Sequence, residues 1–205
     1  MDEQVLRSLI KWPNVPDCFG WLALERRGQW LMVDDFAQQN KLPGQVIQHN
    51  AFNELIRRNY ASDSFGRFFF QNGPQRVFIT LAATPWIVRI IPSDAGPQLI
   101  TQCHTSIKPD AALSDEHGNI YILGSITQTI CKDLADQQFE TRDHSSIALL
   151  HDHDLDLFSE LASIAEQACS FGGSWNWDGK QLPLDPILSE ELSTKFGFIK
   201  QPMPI

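Results

Sequence analysis

The chain has 205 residues, of which 42% are hydrophobic and 20% charged, and its formal net charge at pH 7 is −9. A globular protein of this size can bury enough apolar surface to fold without disulfides or a structural metal. The acidic balance argues against nucleic acid and anionic membranes as partners, because both are bound largely through Lys and Arg.

The first half of the chain is predicted to combine short helices with β-hairpins. Apolar residues at helical spacing alternate with apolar runs that flank glycine-containing turns. The predicted elements are an amphipathic helix over residues 2–11, a hairpin over 20–33, a helix over 50–60 with Asn50 as its N-cap, and strands over 67–71, 75–82 and 86–91.

The turn between two of these strands has the unusual sequence Asn72-Gly73-Pro74. Asn-Gly is a strong signal for a two-residue hairpin turn. In that turn residue 74 would donate its backbone N–H to the carbonyl of Gln71, and proline has no N–H. We therefore expect a rigid loop of three to five residues.

A linker over residues 92–97, with two prolines and Gly96, suggests a division into two halves of similar size, 1–95 and 96–205. Mixed hairpins and separate helices, without a regular β-α-β alternation, predict an α+β fold with mainly antiparallel sheet and a few packed helices. The elements predicted for the second half are strands over 98–103, 111–113, 119–123 and 145–150, a long helix over 155–169, an extended aromatic tail and a short helix near 189–195.

The cysteines and the amino-terminal sequence indicate a cytoplasmic protein. The four cysteines form no C-x-x-C pair, so neither a zinc ribbon nor a thioredoxin-like motif is predicted, and free thiols are typical of a reducing compartment. The opening MDEQ lacks the apolar stretch of a signal peptide, and no apolar run approaches the roughly 18 residues that a membrane-spanning helix needs. Nothing in the sequence calls for a cofactor.

The segment FNELIRRNYASDSFGRFFFQNGPQRVFITLAATPWIVR, preceded by GWLALERRGQW, resembles a proteobacterial family known as a conserved domain of unknown function. The resemblance covers residues 12–91, and SDEHGNIYILGS…LLHDHDLDLF is similar to the family's second half. The order of a G-x-W hairpin, a helix, a D-x-x-G-aromatic strand and a P-aromatic strand also resembles a second uncharacterised bacterial family. That family has a two-part α+β fold of repeated curled-sheet motifs, and a signalling role has been suggested for it. The resemblances imply curled antiparallel sheets and a bacterial cytosolic setting, and they assign no catalytic residue.

The segment from Arg57 to Arg89 is a candidate surface for an anionic ligand. It contains five of the nine arginines, no lysine and one acid, so its local charge is +4. Strand alternation allows two of the arginines to face the same side and bind a carboxylate or phosphate, with neutral side chains adding hydrogen bonds. Alternatively, the arginines are solvated or paired with acids of the second half, which has eleven between Asp110 and Glu160. The residues of the candidate site are Asn59, Tyr60, Gln71, Arg76 and Arg89.

The sequence HDHD is a second candidate site. In a strand, His151 and His153 would point to the same face with Cα atoms about 6.6 Å apart and could share a metal, with His144 or Asp143 as a third ligand. If the segment instead begins the following helix, one of its aspartates would serve as the N-cap.

These observations favour a binding protein over an enzyme. No nucleophile elbow and no glycine-rich phosphate loop is present. The leading hypothesis is a non-enzymatic binding or regulatory module for a small anionic ligand or an acidic protein segment. The alternatives are a metal-dependent hydrolase centred on His151 and His153, and a homodimeric assembly protein in which basic and acidic blocks pair between copies. The sequence leaves open whether the chain is a monomer or a homodimer.

Overall fold

A computed structural model describes residues 1–94, 96–133, 138–164 and 172–204. In these ranges the chain forms five short helices and fourteen strands that belong to one sheet. The helices are α1 (Glu3–Lys11), α2 (Asp35–Asn40), α3 (Asn50–Arg58), α4 (Leu155–Leu161) and α5 (Leu192–Lys195). The strands are β1 (Cys18–Leu24), β2 (Trp30–Met32), β3 (Gln45–Val46), β4 (Tyr60–Asp63), β5 (Phe68–Asn72), β6 (Gln75–Leu81), β7 (Trp86–Ile91), β8 (Gln98–Thr101), β9 (Ile107–Ser114), β10 (Ile120–Asp133), β11 (Gln138–Leu150), β12 (Ala162–Ile164), β13 (Gly173–Trp177) and β14 (Lys180–Pro186).

The prediction of a mixed fold with a mainly antiparallel sheet is confirmed. Nine of the thirteen strand pairings among the described residues are antiparallel. The strand order is β12-β13-β14-β9-β10-β4-β5-β6-β1-β2-β3, while β11 bonds to β10 and β7, and β7 bonds to β8. No helix in the described ranges is long and apolar enough to cross a membrane.

Two parallel pairings join the first and second halves of the sequence. Strand β10 pairs with β4, where Ile130 lies opposite Ser62, and β11 pairs with β7, where Ala148 lies opposite Trp86. Both pairings cross the linker near residue 95. The division of the chain into two similar halves stays a prediction.

Large aromatic side chains form the centre of the main core. Tyr60 contacts three aromatic rings at centroid distances of 5.1 to 5.4 Å, and its hydroxyl donates to the carbonyl of Pro85 at 2.7 Å. Because strand residues alternate, Phe69 points away from this core, and it joins a smaller cluster with Phe78 and Cys131. The rings around Tyr60 are Trp30, Phe68 and Trp86.

The predicted amphipathic helix, the first hairpin and the helix near residue 50 are confirmed as α1, β1–β2 and α3. The cap of α3 differs from the prediction. Asn50 is the first helical residue, and the N-cap is His49, whose Nδ1 accepts the backbone N–H of Phe52 at 3.2 Å.

The prediction of a longer loop around Pro74 is wrong. Asn72 pairs with Gln75, so only Gly73 and Pro74 connect β5 to β6. The turn is shifted by one residue from the expected Asn-Gly position. Gly73 occupies its first central position with φ of 57°, which a type II′ turn requires, and the missing N–H of Pro74 is not needed there.

Two predictions in the second half are corrected by long-range pairing. The strand predicted over 119–123 extends into the fourteen residues of β10, because β9, β4 and β11 all bond to it. The helix predicted over 155–169 ends at Leu161. Residues 162–164 pair with β13, where Ala162 lies opposite the buried Trp175, and residues 165–169 lie outside the described part.

Candidate ligand-binding cavity

Every arginine of the segment from Arg57 to Arg89 has a carboxylate partner. Four of the five partner acids belong to the first half of the chain, so the local positive charge is compensated mainly within that half. The pairs are Arg57–Glu54, Arg58–Asp2 at 3.2 Å, Arg67–Asp63 at 2.7 Å, Arg76–Asp17 at 3.6 Å and Arg89–Asp154 at 2.6 Å.

Arg76 and Arg89 lie on strands that are not hydrogen-bonded to each other. Arg76 is only 6% exposed on β6 and faces Asp17. On β7, Arg89 donates from two nitrogens to Asp154, at 2.6 and 2.9 Å. Each guanidinium therefore has its own carboxylate, and a shared anion site on one face of the sheet stays a prediction.

The three neutral side chains of that candidate site are buried and make hydrogen bonds within the chain. Asn59 accepts from the backbone N–H of Asp2 at 2.8 Å and so holds the start of α1. Gln71 donates to the carbonyl of Gly73 at 3.1 Å, which braces the hairpin turn. Tyr60 lies in the aromatic core.

The HDHD segment begins a helix. A 3₁₀ turn over Asp152–Asp154 leads directly into α4, and the Nδ1 of His151 accepts the backbone N–H of His153 at 3.1 Å. A histidine therefore caps this turn, where the sequence suggested an aspartate. Asp154 makes no capping bond, because its carboxylate binds Arg89.

Three side chains of this segment lie close enough to hold a metal. The ligand atoms of His151, Asp152 and His153 are all within 4.8 Å of one another. Burial lowers the pKa of His151, which favours the neutral imidazole that binds metals. Asp152 also accepts from Arg27, at 2.8 and 3.0 Å. His144 lies outside this group, on β11, and lines a different cavity.

That cavity has a volume of about 320 Å³. It lies where β4 meets the β10–β11 hairpin and the segment that follows α5. One part of its lining is apolar and includes Phe68, Pro85, Phe196 and Phe198. The polar part includes Ser62, Ser64, Gln128, Lys132, Arg142 and His144.

Strand register brings the polar residues of the cavity together. Gln128 on β10 lies directly opposite Arg142 on β11, and opposed residues of an antiparallel pair share one face. The parallel pairing with β4 places Ser62 opposite Ile130, which is two residues beyond Gln128 and therefore on the same face of β10.

Gln128 is the most unusual residue of this cavity. It is 4% exposed, and its Nε2 donates to the Oγ of Ser62 at 2.6 Å. Its Oε1 is buried and has no hydrogen-bond partner in the described ranges. A buried polar atom without a hydrogen-bond partner costs roughly 1–3 kcal/mol of stability.

Two cations lie beside one carboxylate at the cavity rim. Lys132 lies 2.6 Å from Glu140, and the Nε of Arg142 lies 3.8 Å from the same carboxylate. The hydrogen bond from Lys132 lowers the pKa of Glu140, which is ionised at neutral pH. One carboxylate thus lies between two cations. Among the described residues Arg142 donates no hydrogen bond, and its side chain is 54% exposed.

Asp63 also lines the cavity, but its carboxylate already accepts hydrogen bonds from residues of the turn that follows it. It accepts from the Nε of Arg67 at 2.7 Å, the backbone N–H of Arg67 at 2.9 Å and the backbone N–H of Phe65 at 3.0 Å. The charge of Asp63 is therefore compensated by Arg67 and not by the cations Lys132 and Arg142 of the lining.

The apolar wall from Phe196 to Phe198 is fixed by backbone contacts. The N–H of Ile199 donates to the carbonyl of Gly66 at 2.9 Å. A Cβ at Gly66 would lie 2.0 Å from the carbonyl oxygen of Gly197, and its φ is 78°, so only glycine allows this approach.

The model of the family DUF2944, described as "Protein of unknown function (DUF2946)", matches residues 1–203. The chain belongs to this family. The resemblance of the sequence to an uncharacterised family is thereby confirmed. No curated relative matches the chain. One solved structure, a DUF1285 family protein from Silicibacter pomeroyi DSS-3, is similar with a TM-score of 0.45 and 17% identity, over 88% of this chain and 87% of that chain.

Sequence reasoning did not find the cavity of this DUF2944 chain, apart from His144. The residues that matter most come from β4, β10 and β11, and only the register of these strands places them together. One feature of the sequence did point to the cavity. Gln128 interrupts the apolar positions Ile126 and Ile130 on one face of β10, and a polar residue at such a position is unusual.

Proposed function

We propose that the chain is a binding module for a small anionic ligand and that the ligand occupies the cavity between β4, the β10–β11 hairpin and Phe196–Phe198. The observation that supports this most directly is the presence of two cations, Lys132 and Arg142, in the lining of a cavity that also has an apolar part. The two cations of the described lining, Lys132 and Arg142, favour an anion.

The cavity is a better candidate than the arginine-rich sheet. The arginines of that sheet are each paired with a carboxylate, and an anion would have to displace it. Arg142 has the longest of these ion pairs, with 3.8 Å from its Nε to the carboxylate of Glu140, and no hydrogen bond joins it to the described residues. A guanidinium of this kind can bind a carboxylate or a phosphate through two parallel hydrogen bonds.

Calorimetric titration with a panel of anions tests this function. The panel contains acetate, lactate, succinate, inorganic phosphate and glycerol phosphate, each added to the protein in low-salt buffer. We expect at least one anion to bind, and Arg142→Gln to weaken that binding about tenfold or more, because a charge-assisted hydrogen bond is lost.

Arg7→Gln is the matched control, since Arg7 is exposed on α1 and, among the residues that the structure describes, pairs only with Glu3 of the same helix. It should leave binding unchanged. If no anion of the panel binds, or if Arg142→Gln binds as tightly as the parent protein, the proposed function is wrong.

A second candidate function, metal-dependent hydrolysis, is supported by the ligand atoms of His151, Asp152 and His153. A cavity of about 290 Å³ lined by Asp152, Arg26 and Arg27 lies beside them and could hold a substrate. Titration of the untagged protein with Zn²⁺ tests this candidate. His153→Ala should abolish stoichiometric binding, and His117→Ala, at another exposed histidine, should not. Absence of stoichiometric Zn²⁺ binding to the parent protein would exclude this candidate.

We also infer a cytoplasmic protein that is a monomer or a homodimer. The three cysteines in the described ranges, Cys18, Cys103 and Cys131, are free thiols, in keeping with a reducing compartment. Curled sheets in two similar halves remain part of the proposal.

A further inference from the structure

We propose that the chain forms a reversible homodimer in which strand β3 pairs with the β3 of a second copy across a two-fold axis. The sheets of the two copies would then continue into each other through this antiparallel pairing. The interface is separate from the proposed ligand cavity, whose described lining contains no residue between 20 and 50.

Strand β3 has an open edge. It lies at one end of the strand order, where it pairs with β2 and with no other described strand. The N–H of Ile47 donates to the carbonyl of Trp30 at 2.9 Å, so the backbone of Ile47 faces β2. Because the backbone groups of successive strand residues point to opposite sides, the N–H and C=O of Val46 face the open edge. Both groups can bond to a further strand.

The sequence of this edge contains no charged residue. Residues 42–53, LPGQVIQHNAFN, include no Lys, Arg, Asp or Glu, and the single proline, Pro43, precedes the strand. Open edges usually carry charged residues, because these discourage pairing with another chain. Short length also protects an edge, and β3 has only two residues. The β3 pairing therefore sets the register of the dimer, and side chains have to supply most of its contact area.

Exposed apolar side chains are concentrated at this end of the sheet. Of the thirteen large hydrophobic side chains that are exposed among the described residues, five lie between residues 21 and 46. Three of the five lie on β1, β2 and β3, and the other two belong to the connection between β2 and β3 that contains α2. Such a concentration is typical of a protein–protein interface. The five side chains are Trp21, Met32, Phe36, Leu42 and Val46, with exposed fractions of 41 to 66%.

The area of these side chains matches a weak interface. Their exposed parts amount to roughly 500 Å² per copy, if a fully exposed large side chain has about 200 Å². Two copies would then bury about 1,000 Å², which is near the lower limit for a specific protein–protein contact. A dimer of this size is expected to dissociate and re-form in solution.

Self-complementarity favours a second copy of this chain as the partner. In a two-fold contact centred on Val46, its N–H and C=O bond to the C=O and N–H of the same residue in the second copy, and Gln45 lies opposite Ile47. Val46 shares its face of the sheet with Leu31 and Ala23, so apolar side chains meet at the axis. A charged side chain at the axis would face its own copy, and like charges in directly opposed positions are unfavourable. The uncharged edge avoids this repulsion.

Analytical ultracentrifugation over a range of protein concentrations tests this inference. We expect a monomer–dimer equilibrium for the parent protein. Val46→Lys should raise the dimer dissociation constant about a hundredfold or more, because it places two lysines beside the axis. Gln98→Lys, at an exposed position of strand β8, is the matched control and should leave the equilibrium unchanged. Urea unfolding of dilute Val46→Lys should follow that of the dilute parent protein, which shows that the variant is folded.

A cysteine at the axis tests the register. Directly opposed residues that exchange two backbone hydrogen bonds have Cα atoms about 5.5 Å apart, which is within the range that a disulfide spans. Under mild oxidation we expect Val46→Cys to form a disulfide-linked dimer. Gln98→Cys and the parent protein, which both keep the native cysteines, should remain unlinked.

The inference is overturned if the parent protein is monomeric at concentrations up to about 1 mM, or if Val46→Lys dimerises as strongly as the parent protein. It is also overturned if Val46→Cys gives no more linked dimer than Gln98→Cys. A dimer that dissociates at high salt would indicate pairing of charged segments and would equally contradict a contact through the uncharged β3 edge. None of these results affects the proposed binding of anions in the cavity, which the calorimetric panel tests separately.

Discussion

Arg67 and Arg76 are both buried beside aromatic rings, but their polar contacts differ. The guanidinium of Arg67 lies 4.5 Å from the ring centroid of Phe78, and its Nε donates to the buried carboxylate of Asp63 at 2.7 Å. The guanidinium of Arg76 lies 4.9 Å from the ring of Phe69, and its Nε has no partner in the described ranges. Two arginines of similar burial therefore contribute to stability in different ways.

Replacing each arginine by methionine should reveal this difference. Arg67→Met leaves Asp63 as a buried charge without a cation, and we expect it to cost about 3–5 kcal/mol of the free energy of unfolding. Arg76→Met leaves only Asp17, which is partly exposed, so the expected change is within about 1 kcal/mol.

Urea unfolding of both variants at pH 7 measures these changes. Equal destabilisation by the two substitutions would contradict the expectation and would mean that Arg76 makes a strong contact beyond its ion pair with Asp17.

At the scale of elements, Asp154 ties the start of α4 to strand β7. Its carboxylate accepts from the side chain of Arg89 and from the backbone N–H of Ile90 at 2.9 Å. Burial raises its pKa, but these hydrogen bonds and the charge of Arg89 outweigh burial, so the pKa of Asp154 is lowered from its ordinary value of 3.8. This contact joins an element of the second half of the chain to one of the first half.

The lowered pKa predicts a pH dependence of stability. The folded protein holds the proton of Asp154 less tightly than the unfolded chain, so the contribution is fully present above pH ~4 and is lost as the pH falls through the folded pKa. We expect Asp154→Asn to lower the free energy of unfolding at pH 7 by about 1–3 kcal/mol and to reduce its decline below pH ~4.

Urea unfolding of the parent protein and of Asp154→Asn at a series of pH values measures this dependence. Asp156→Asn provides a control that should follow the parent protein. Asp156 also lies in the first turn of α4, and its carboxylate has no hydrogen bond or ion pair with the described residues. An unchanged acid dependence in Asp154→Asn would show that other carboxylates govern it.

Elements with local signals were predictable from the sequence. Helices α1 and α3, the first hairpin, and strands β6 and β7 follow apolar periodicity and nearby turns. Strand β4 was missed because Ser62 and Asp63 suggest a break. They lie in a strand because β5 pairs on one side and β10 on the other. The intrinsic strand propensity of a residue has less influence on its conformation than hydrogen bonding to a strand on each side.

The candidate cavity was beyond the sequence for the same reason. His144 was noticed as a metal ligand, and the structure places it on the cavity lining instead. Gln128 and Arg142 are separated by a hairpin, and Ser62 is far from both in sequence. These three residues come together only through the register of β10 with β11 and β4, which no local sequence pattern specifies.

At the scale of the whole molecule, the basic segment of the sequence does not form a face of free charge. The basic segment from Arg57 to Arg89 is paired within the chain, mainly by acids of the first half. A homodimer held by contacts between basic and acidic blocks would have to exchange these pairs for contacts between copies. For the exposed pairs such an exchange yields little, because they contribute only about 0–1 kcal/mol. For the buried pair of Arg67 with Asp63 it would leave a buried charge without its partner.

The parallel pairing of β4 with β10 also has a consequence during protein synthesis. The strands from β5 to β9 are made before β10, so the far edge of β4 has no partner while they leave the ribosome. At about 5–20 residues per second this interval is on the order of several seconds. An open strand edge can pair with another nascent chain. Chaperones that shield such edges would therefore affect the yield of this protein more than its final stability.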